Sequence, residues 1–517
     1  MAIKRYTANA DNTIVNAFKA DLETRGTGAN AGAADVVEVF SIYDRVTTGS
    51  QTGSQELSRI LINFPISNII TDRSNGNIPA SGSVSFYLKM YNARTSKTVP
   101  KDYKLIVQPI SQSWEEGDGL DLENYKDITR DGMGSNWDNA ASGTAWTNIG
   151  GDYLSASSDP IFSQSFSNGL EDLEIDISDL VEKWIAGSIG KYGVGIRLSS
   201  SYEAYYSNSA GDTNTGSIIN NLEGAKKSYY TKRFFARKSQ YFFKRPVLEA
   251  RWDSAKRDDR GDFYYSSSLA PAADNLNTLY LYNYVRGRLR DIPDVGTGAI
   301  FVSLYSGSAD NSEPSGSKLL LYDSKYNITG GHAGTGIYTA SVAITAAATP
   351  IETLYDVWHS GTAGGSDSEY FTGSITPSQL KGFDNRREPV YYINITNLKS
   401  AYRNNENARF NLYVRDKYWS PTIYTVASND PPNTAIVSAS YRVFRLVDAY
   451  EAIPYGTGSK FHTGLSYDVS GNYFDLNMEL LEPGYAYALK FAFYDPELDS
   501  WVEQPEKFKF RVESYEY

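Results

Sequence analysis

The sequence predicts an all-β protein of several domains, and three observations carry that reading. The 517 residues include 41 Tyr, 22 Phe and 42 Gly against 4 Met and no Cys. Tyrosine and β-branched residues fit a pleated, half-buried surface, and Gly with Ser, Asn and Asp fits tight turns. Short apolar or alternating runs recur, separated by turn-rich stretches such as TTGSQTGSQ (47–55) and TDRSNGNIPASG (71–82). That rhythm marks a sandwich or a barrel. Helical periodicity is scarce.

Taken in order, the strands are DVVEVFSIYD (35–44), SRILINF (58–64), SVSFYLKMY (83–91) and YKLIVQPI (103–110). The best helix is DISDLVEKWIAG (176–187), where Ser178 can cap the start and Gly187 the end. Its Leu180, Val181, Trp184 and Ile185 recur at helical spacing, so it crosses a sandwich end and buries Trp184. Charged, apolar-poor stretches at AKRDDRGD (255–262) and KGFDNRREP (381–389) suggest boundaries, giving segments 1–254, 255–384 and 385–517. The last two echo each other. TLYLYNYVRGRLR (278–290) parallels PVYYINITNLKSAYR (389–403), and IFVSLY (300–305) parallels ARFNLYVRD (408–416). IETLYDVW with YFTGSI (351–375) parallels YRVFRLVDAY with YFDLNM (441–478), so two smaller tandem, Ig-like β-sandwiches are expected.

Charge and composition exclude several function classes. The net charge is −12, which repels phosphate backbones and anionic membranes and disfavours nucleic acid. Without Cys there is no disulfide, no thiol catalysis and no zinc–thiolate site. The N-terminus MAIKRYTANADNTIVNAF lacks the apolar core of a secretory signal. No stretch approaches the ~18 apolar residues of a membrane span. The chain is therefore expected to be made and kept in a cytosol until lysis. His332, His359 and His462 are far apart, and no H-E-x-x-H, G-x-S-x-G or phosphate-loop motif occurs.

By residue 253 a recognisable series has assembled: Leu61–Phe64, Trp114–Gly117, Trp137 with Asn139, Asp176–Trp184, Gly193–Leu198, and Pro246 with Leu248. The order resembles the DNRLRE-type domain, a jelly-roll sandwich grouped with carbohydrate-binding modules. That resemblance implies an N-terminal jelly-roll β-sandwich over 1–254 and covers about half the chain. The family's "W-N" element reads WDN here, and the acid of its "S-x-E" element is missing from ARKSQ (236–240). The segment YFDLNMELLEPGYAYALKFAFYD (473–495) resembles β-rich modules in virion proteins of tailed, particularly marine, bacteriophages.

The stretch SQSWEEGDGL (111–120) raises the sharpest question about chemistry. Its acids suit a catalytic pair, a calcium loop or a structural corner. A catalytic pair needs a sugar cleft and one carboxyl with a raised pKa. Glu115, Glu116, Asp118, Asp121 and Glu123 supply hard oxygen ligands for calcium, although not at EF-hand spacing. The corner reading has Trp114 packed over the sandwich edge and the acids facing water.

The run KKSYYTKRFFARKSQYFFKR (226–245) holds eight Lys and Arg, no acid and many rings. Alternation along a strand would place Tyr and Phe inward and charge outward. Arg233, Arg237 and Lys238 are then candidates for docking onto an acidic neighbouring subunit, with single-stranded nucleic acid as the rival occupant. Tyr202, Tyr205 and Tyr206, and Tyr418 with Trp419, sit in loop-like settings and are candidates for a subunit interface or a glycan platform.

The expectation is a non-enzymatic structural protein of a tailed-phage virion, in the neck, the tail or the capsid surface. It would be made in the host cytoplasm and partnered by other virion proteins, with itself in a ring or other homo-oligomer. A carbohydrate-binding adhesin is the alternative. No cofactor is expected beyond a candidate structural calcium.

Overall fold

The computed structural model describes residues 2–18, 25–44, 54–95, 98–120, 133–203, 205–207, 217–219, 227–266, 271–307, 318–344, 351–361, 368–378, 390–419, 433–457 and 460–515. The expected boundary at 381–389 lies outside the described residues. Two compact units divide the chain, Ala2–Asp253 and Ser254–Tyr517. Both are all-β, with strands packed into sandwiches.

The first unit begins with Ile3–Thr7 (β1), Ala10–Asn16 (β2), Val36–Asp44 (β3) and Ser54–Asn63 (β4). A helix, Ile66–Ser74 (α1), precedes Ser85–Met90 (β5), Tyr103–Pro109 (β6), Asn139–Ala141 (β7) and Thr144–Ala145 (β8). Phe162–Phe166 (β9) and Leu173–Asp176 (β10) lead to Ser178–Ala186 (α2). The unit closes with Val194–Leu198 (β11), Tyr205–Ser207 (β12), Ser217–Ile219 (β13), Lys227–Phe235 (β14) and Val247–Arg251 (β15).

One sheet runs β1-β15-β5-β10 and the other β14-β3-β4-β11-β6-β9, with β2 added on β4. Counting β1, β4, β5, β6, β9, β10, β11 and β15 as eight strands, the first sheet holds ranks one, eight, three and six. The second holds two, seven, four and five, which is the doubled Greek key of a jelly roll. The main core lies between the sheets and includes Ile60, Ile62, Leu88, Val107, Ile196 and Leu248. The other face of β4 is also covered: Leu57 and Leu61 join Ile14, Ile110, Trp137 and Trp146 in a second cluster. A strand buried on both faces needs apolar residues on both, which is why SRILINF reads as a continuous run.

Helix α2 buries Leu180, Val181 and Trp184 and ends at Gly187, whose φ of 72° is left-handed, as a glycine C-cap requires. Its start differs from expectation. Ile177, not Ser178, occupies the N-cap and makes no side-chain cap bond. The Ser178 hydroxyl instead donates to Asp176 and accepts from the Phe86 amide at 2.8 Å, tying the helix to β5. Helix α1 falls where a loop was expected. Its three Ile and its Ser, Thr and Asp have modest helix propensity, but Ile66 and Ile69 bury one face, and Arg73 grips Glu182 of α2 at 3.0 and 2.7 Å. Tertiary packing overrides propensity there.

The second unit begins with Asn277–Tyr282 (β16), Tyr284–Val285 (β17), Arg288–Leu289 (β18), Ile300–Ser306 (β19) and Ile328–Gly334 (β20). Ile337–Val342 (β21), Leu354–His359 (β22) and Glu369–Ile375 (β23) complete a sheet ordered β16-β21-β20-β19-β22-β23. Strand β20 changes partner midway, from β19 through Gly330 to β21 from Gly331. The sheet so curls around one core containing Leu279, Val302, Leu304, Tyr338 and Trp358.

The remaining strands are Tyr391–Ile395 (β24), Ala401–Arg403 (β25), Asn407–Asp416 (β26), Ala439–Arg445 (β27) and Glu451–Ile453 (β28). Ser466–Asp468 (β29), Gly471–Asn477 (β30), Ala486–Asp495 (β31), Ser500–Glu503 (β32) and Phe508–Glu513 (β33) follow. They form sheets β24-β26-β30-β29 and β25-β33-β31-β27-β28, with β32 on β31. This is an immunoglobulin-type sandwich, down to a tyrosine corner: the Tyr487 hydroxyl, near the start of β31, donates to the Glu482 carbonyl at 2.9 Å. The echoing segments do form strands, but their neighbours differ. β24 pairs with β26, whereas β16 pairs with β21 rather than β19.

A strap at 256–262 joins the two sheet systems of this unit. The Asp258 amide donates to the Tyr467 carbonyl at 3.1 Å. The Tyr467 hydroxyl donates to Asp259 at 2.6 Å, and Arg260 makes a two-pronged contact with buried Asp356.

Candidate functional site

The loop 111–120 is built as a corner. Trp114 packs on the second cluster and donates its indole N–H to the Tyr192 carbonyl at 2.8 Å. Gly117 and Gly119 lie against Asn30, and a Cβ on either would come within 2.0 Å of it. They are therefore glycines for close approach, not for solvating the acids.

Glu116 is half-buried and paired, not a freely solvated acid. Arg237 donates to it from Nε at 3.0 Å and from Nη2 at 2.6 Å, Lys238 stands 3.5 Å away, and the Asp11 amide donates at 3.0 Å. Glu115 is exposed and accepts from the Ser142 amide at 3.3 Å, and Asp118 is exposed. Asp121 and Glu123 lie outside the described residues. Among the described residues no group of three or more His, Asp or Glu is arranged to hold a metal.

Behind this corner sits a residue that sequence reasoning missed. Asp11 has no exposed surface, and burial pushes its carboxyl up to about 7; the Arg237 amide opposes that shift, and the Glu116 charge adds to it. A carboxyl tuned near neutrality is the type a general acid needs, but this one is enclosed.

The basic run forms β14, paired with β3 from Lys227↔Asp44 to Phe235↔Val36. The inward-ring, outward-charge expectation fails at two positions. Tyr229 points out, at 45% exposure, and Lys232 is 2% exposed. The Lys232 ammonium donates to Asn92 at 2.7 Å and to the Gly169 and Glu171 carbonyls at 3.0 and 2.6 Å. The Phe166 and Phe234 rings flank it at 5.0 and 5.1 Å. Burial pushes its pKa down to about 8, against the pull of Asp172 and Glu171. The sequence YYTKRFF does not alternate strictly, so the pleat decides which side chains turn inward. Arg233 pairs with Glu38 at 3.0 Å.

The run ends in a 3-10 turn, Phe242–Lys244. Tyr241 and Phe242 are 48% and 57% exposed. Lys244 lies 5.0 Å from the Phe235 ring centre and 5.5 Å from that of Tyr241, and Arg245 lies 5.2 Å from that of Phe242.

The remaining candidates separate. Tyr202 is half-buried and packs edge-on against Tyr230 at 5.1 Å. The backbones of Tyr205 and Tyr206 pair with Ile219 and Ile218; their side chains lie outside the described residues. Tyr418 is 61% exposed, and Trp419 is half-buried. The Arg415 guanidinium lies 5.6 Å from the Trp419 ring centre and 5.4 Å from that of Tyr392. This cluster opens onto the outer face of β24 and β26, where Tyr392 pairs with Arg415 and exposed Asn394 with Tyr413. The Tyr413 hydroxyl and Arg415 Nε are buried and have no hydrogen-bond partner among the described residues. The three histidines serve locally: His332 on Asp291 at 3.1 Å, His359 on Ser303 at 3.0 Å and His462 on the Lys460 carbonyl at 3.1 Å.

No protein-family model matches the chain, and no curated protein does. Among solved structures, the crystal structure of Salmonella alpha-2-macroglobulin reacted with methylamine is similar at 10% identity, covering 99% of this chain and 34% of that one. Its TM-score is 0.14, a likeness that carries no argument about fold or function. The class established is therefore architectural: an all-β protein of serial sandwiches.

Proposed function

We propose that the chain is a structural, non-enzymatic virion protein of a tailed bacteriophage. It assembles through its sandwiches in the neck, the tail or the capsid surface, with other virion proteins and copies of itself as partners. The observation that carries this reading is how the charged groups are used. Asp11, Lys232 and Glu249 are enclosed and committed to protein partners. Rings and cations of 241–245 and 415–419 stand at the surface. Rigid sheets with aromatic and guanidinium anchors suit subunit contacts, and repeated identical contacts close into rings. The test is the protein composition of purified particles together with a map of the assembled object. A fixed copy number per particle is expected; a chain absent from particles and recovered as a monomer would overturn the reading.

A second reading, a carbohydrate-binding adhesin, is supported by the face of β24 and β26. Tyr392, Tyr413 and Trp419 lie beside exposed Asn394 and Asn411 there. The jelly-roll strand order and the resemblance to the DNRLRE-type domain also favour it. A glycan array probed with folded protein tests it: a hit lost in Tyr392→Ala is expected, and a flat array removes the reading.

A further inference from the structure

The turn at 241–245 is held by a set of backbone bonds, although its Tyr241 and Phe242 rings face water. The Lys244 amide donates to the Tyr241 carbonyl at 2.9 Å, and the Phe242 amide to the Gln240 carbonyl at 3.1 Å. Ser239, fully buried, anchors the base: its hydroxyl accepts from the Tyr241 amide at 3.2 Å and its carbonyl from Arg245 Nε at 2.9 Å. Tyr241 packs edge-on against Phe235 at 5.5 Å, and Phe242 against Phe243 at 5.4 Å. Large apolar rings fixed in solvent need a reason, because exposure forfeits the free energy of burying them. A surface already fixed in its bound shape loses little entropy on docking.

The charge of the turn separates it from the rest of the run. Arg233 and Arg237 are paired with carboxylates and Lys232 is buried. Lys244 and Arg245 have no carboxylate partner among the described residues and rest on rings instead. Elsewhere the chain is strongly acidic: eight of its 49 Lys and Arg fall in 226–245, and none of its 61 Asp and Glu do. A second copy of the chain therefore carries the excess of negative charge that complements this turn.

We infer that Tyr241–Arg245 is a docking knob that seats on an acidic surface of a second copy of this chain. This rests on the structural reading above and specifies one contact of the assembly. The rings fill the contact and exclude water while Lys244 and Arg245 set its orientation. Knob and seat are different surfaces, so the contact is head-to-tail, the geometry that generates rings or open chains.

Sedimentation of the full chain over a concentration series tests this, in low and in high salt, for wild type, Phe242→Ser and Lys244→Glu. Wild type is expected to self-associate and to weaken as salt rises. Each variant is expected to weaken association about tenfold or more, the cost of losing one central anchor. Unchanged far-ultraviolet circular dichroism shows that the variants fold, and cross-linking should place residues 241–245 of one copy against acidic residues of another. A monomeric wild type, or variants that associate like wild type, would overturn the inference. So would a monomer whose knob binds a polyglutamate probe or a glycan, because the occupant would then not be a second copy. The two readings fail separately. Variants that associate normally, with the chain still present in particles, remove the knob alone. Knob-dependent association with the chain absent from particles removes the virion role alone.

Discussion

Arg237 holds Glu116 through two nitrogens, Nε at 3.0 Å and Nη2 at 2.6 Å, across 121 residues of sequence. The same residue's backbone amide donates to Asp11. One arginine therefore fixes both acids of the corner. Removing the Glu116 charge by Glu116→Ala leaves Arg237 and the Asp11 amide without their acceptor. The expected cost is about 1–3 kcal/mol, read by urea unfolding.

Asp11 makes the first unit's stability depend on pH. Its folded pKa, about 7, lies above the ordinary value of 3.8, so the folded state holds a proton that the unfolded state has released. Stability falls as pH rises from about 4 to about 7 and is level above that. Asp11→Asn should abolish this component, because the amide oxygen can still accept from Arg237 without carrying charge. The difference in unfolding free energy between variant and wild type should shift toward the variant by up to roughly 4 kcal/mol from pH 4 to pH 8. A difference independent of pH would refute the assignment.

Lys232→Met keeps the stem and removes three hydrogen bonds, leaving the Asn92, Gly169 and Glu171 acceptors without their donor. A loss of about 1–3 kcal/mol near pH 7 is expected. The folded pKa, about 8, is below the usual 10.5, so charging the group opposes folding. Wild type should accordingly gain stability relative to the variant as pH rises from about 8 to about 10. Denaturant titrations at three pH values check the sign.

Tyr487→Phe tests the tyrosine corner. The ring stays in the core and only the bond to the Glu482 carbonyl is lost. A cost of about 0.5–1.5 kcal/mol is expected, confined to the unfolding transition of the second unit.

Gly195 lies under Tyr153, where a Cβ would stand 2.1 Å from Cε1 of the ring. Gly195→Ala should displace the ring and cost about 1–3 kcal/mol. The fluorescence of Trp137 and Trp146, in the same cluster, should report the shift.

The strands were legible because their apolar patterns are local: SRILINF, YKLIVQPI and ARFNLYVRD each form a strand near the expected bounds. Helix α2 was legible from Leu180, Val181, Trp184 and Gly187. Helix α1 was not, because its stability comes from Ile66 and Ile69 meeting a core assembled by distant strands. The site was less legible than the fold. Glu116 was visible as an acid, but its partner Arg237 is fixed only by closure of the sandwich. Lys232 sits in a run of cations, and nothing local distinguishes the one that turns inward. The knob was visible as a basic, aromatic stretch; which of its charges are already neutralised is a property of the fold.

The pairing of β1 with β15 has a consequence for biogenesis. Arg5 meets Glu249 across 244 residues, so β1 leaves the ribosome well before the strand it pairs with. At about 5–20 residues per second, translation keeps it waiting on the order of 10–50 s. Throughout that interval the nascent polypeptide carries an open hydrogen-bonding edge, and neighbouring chains on one message could capture it before its own partner arrives.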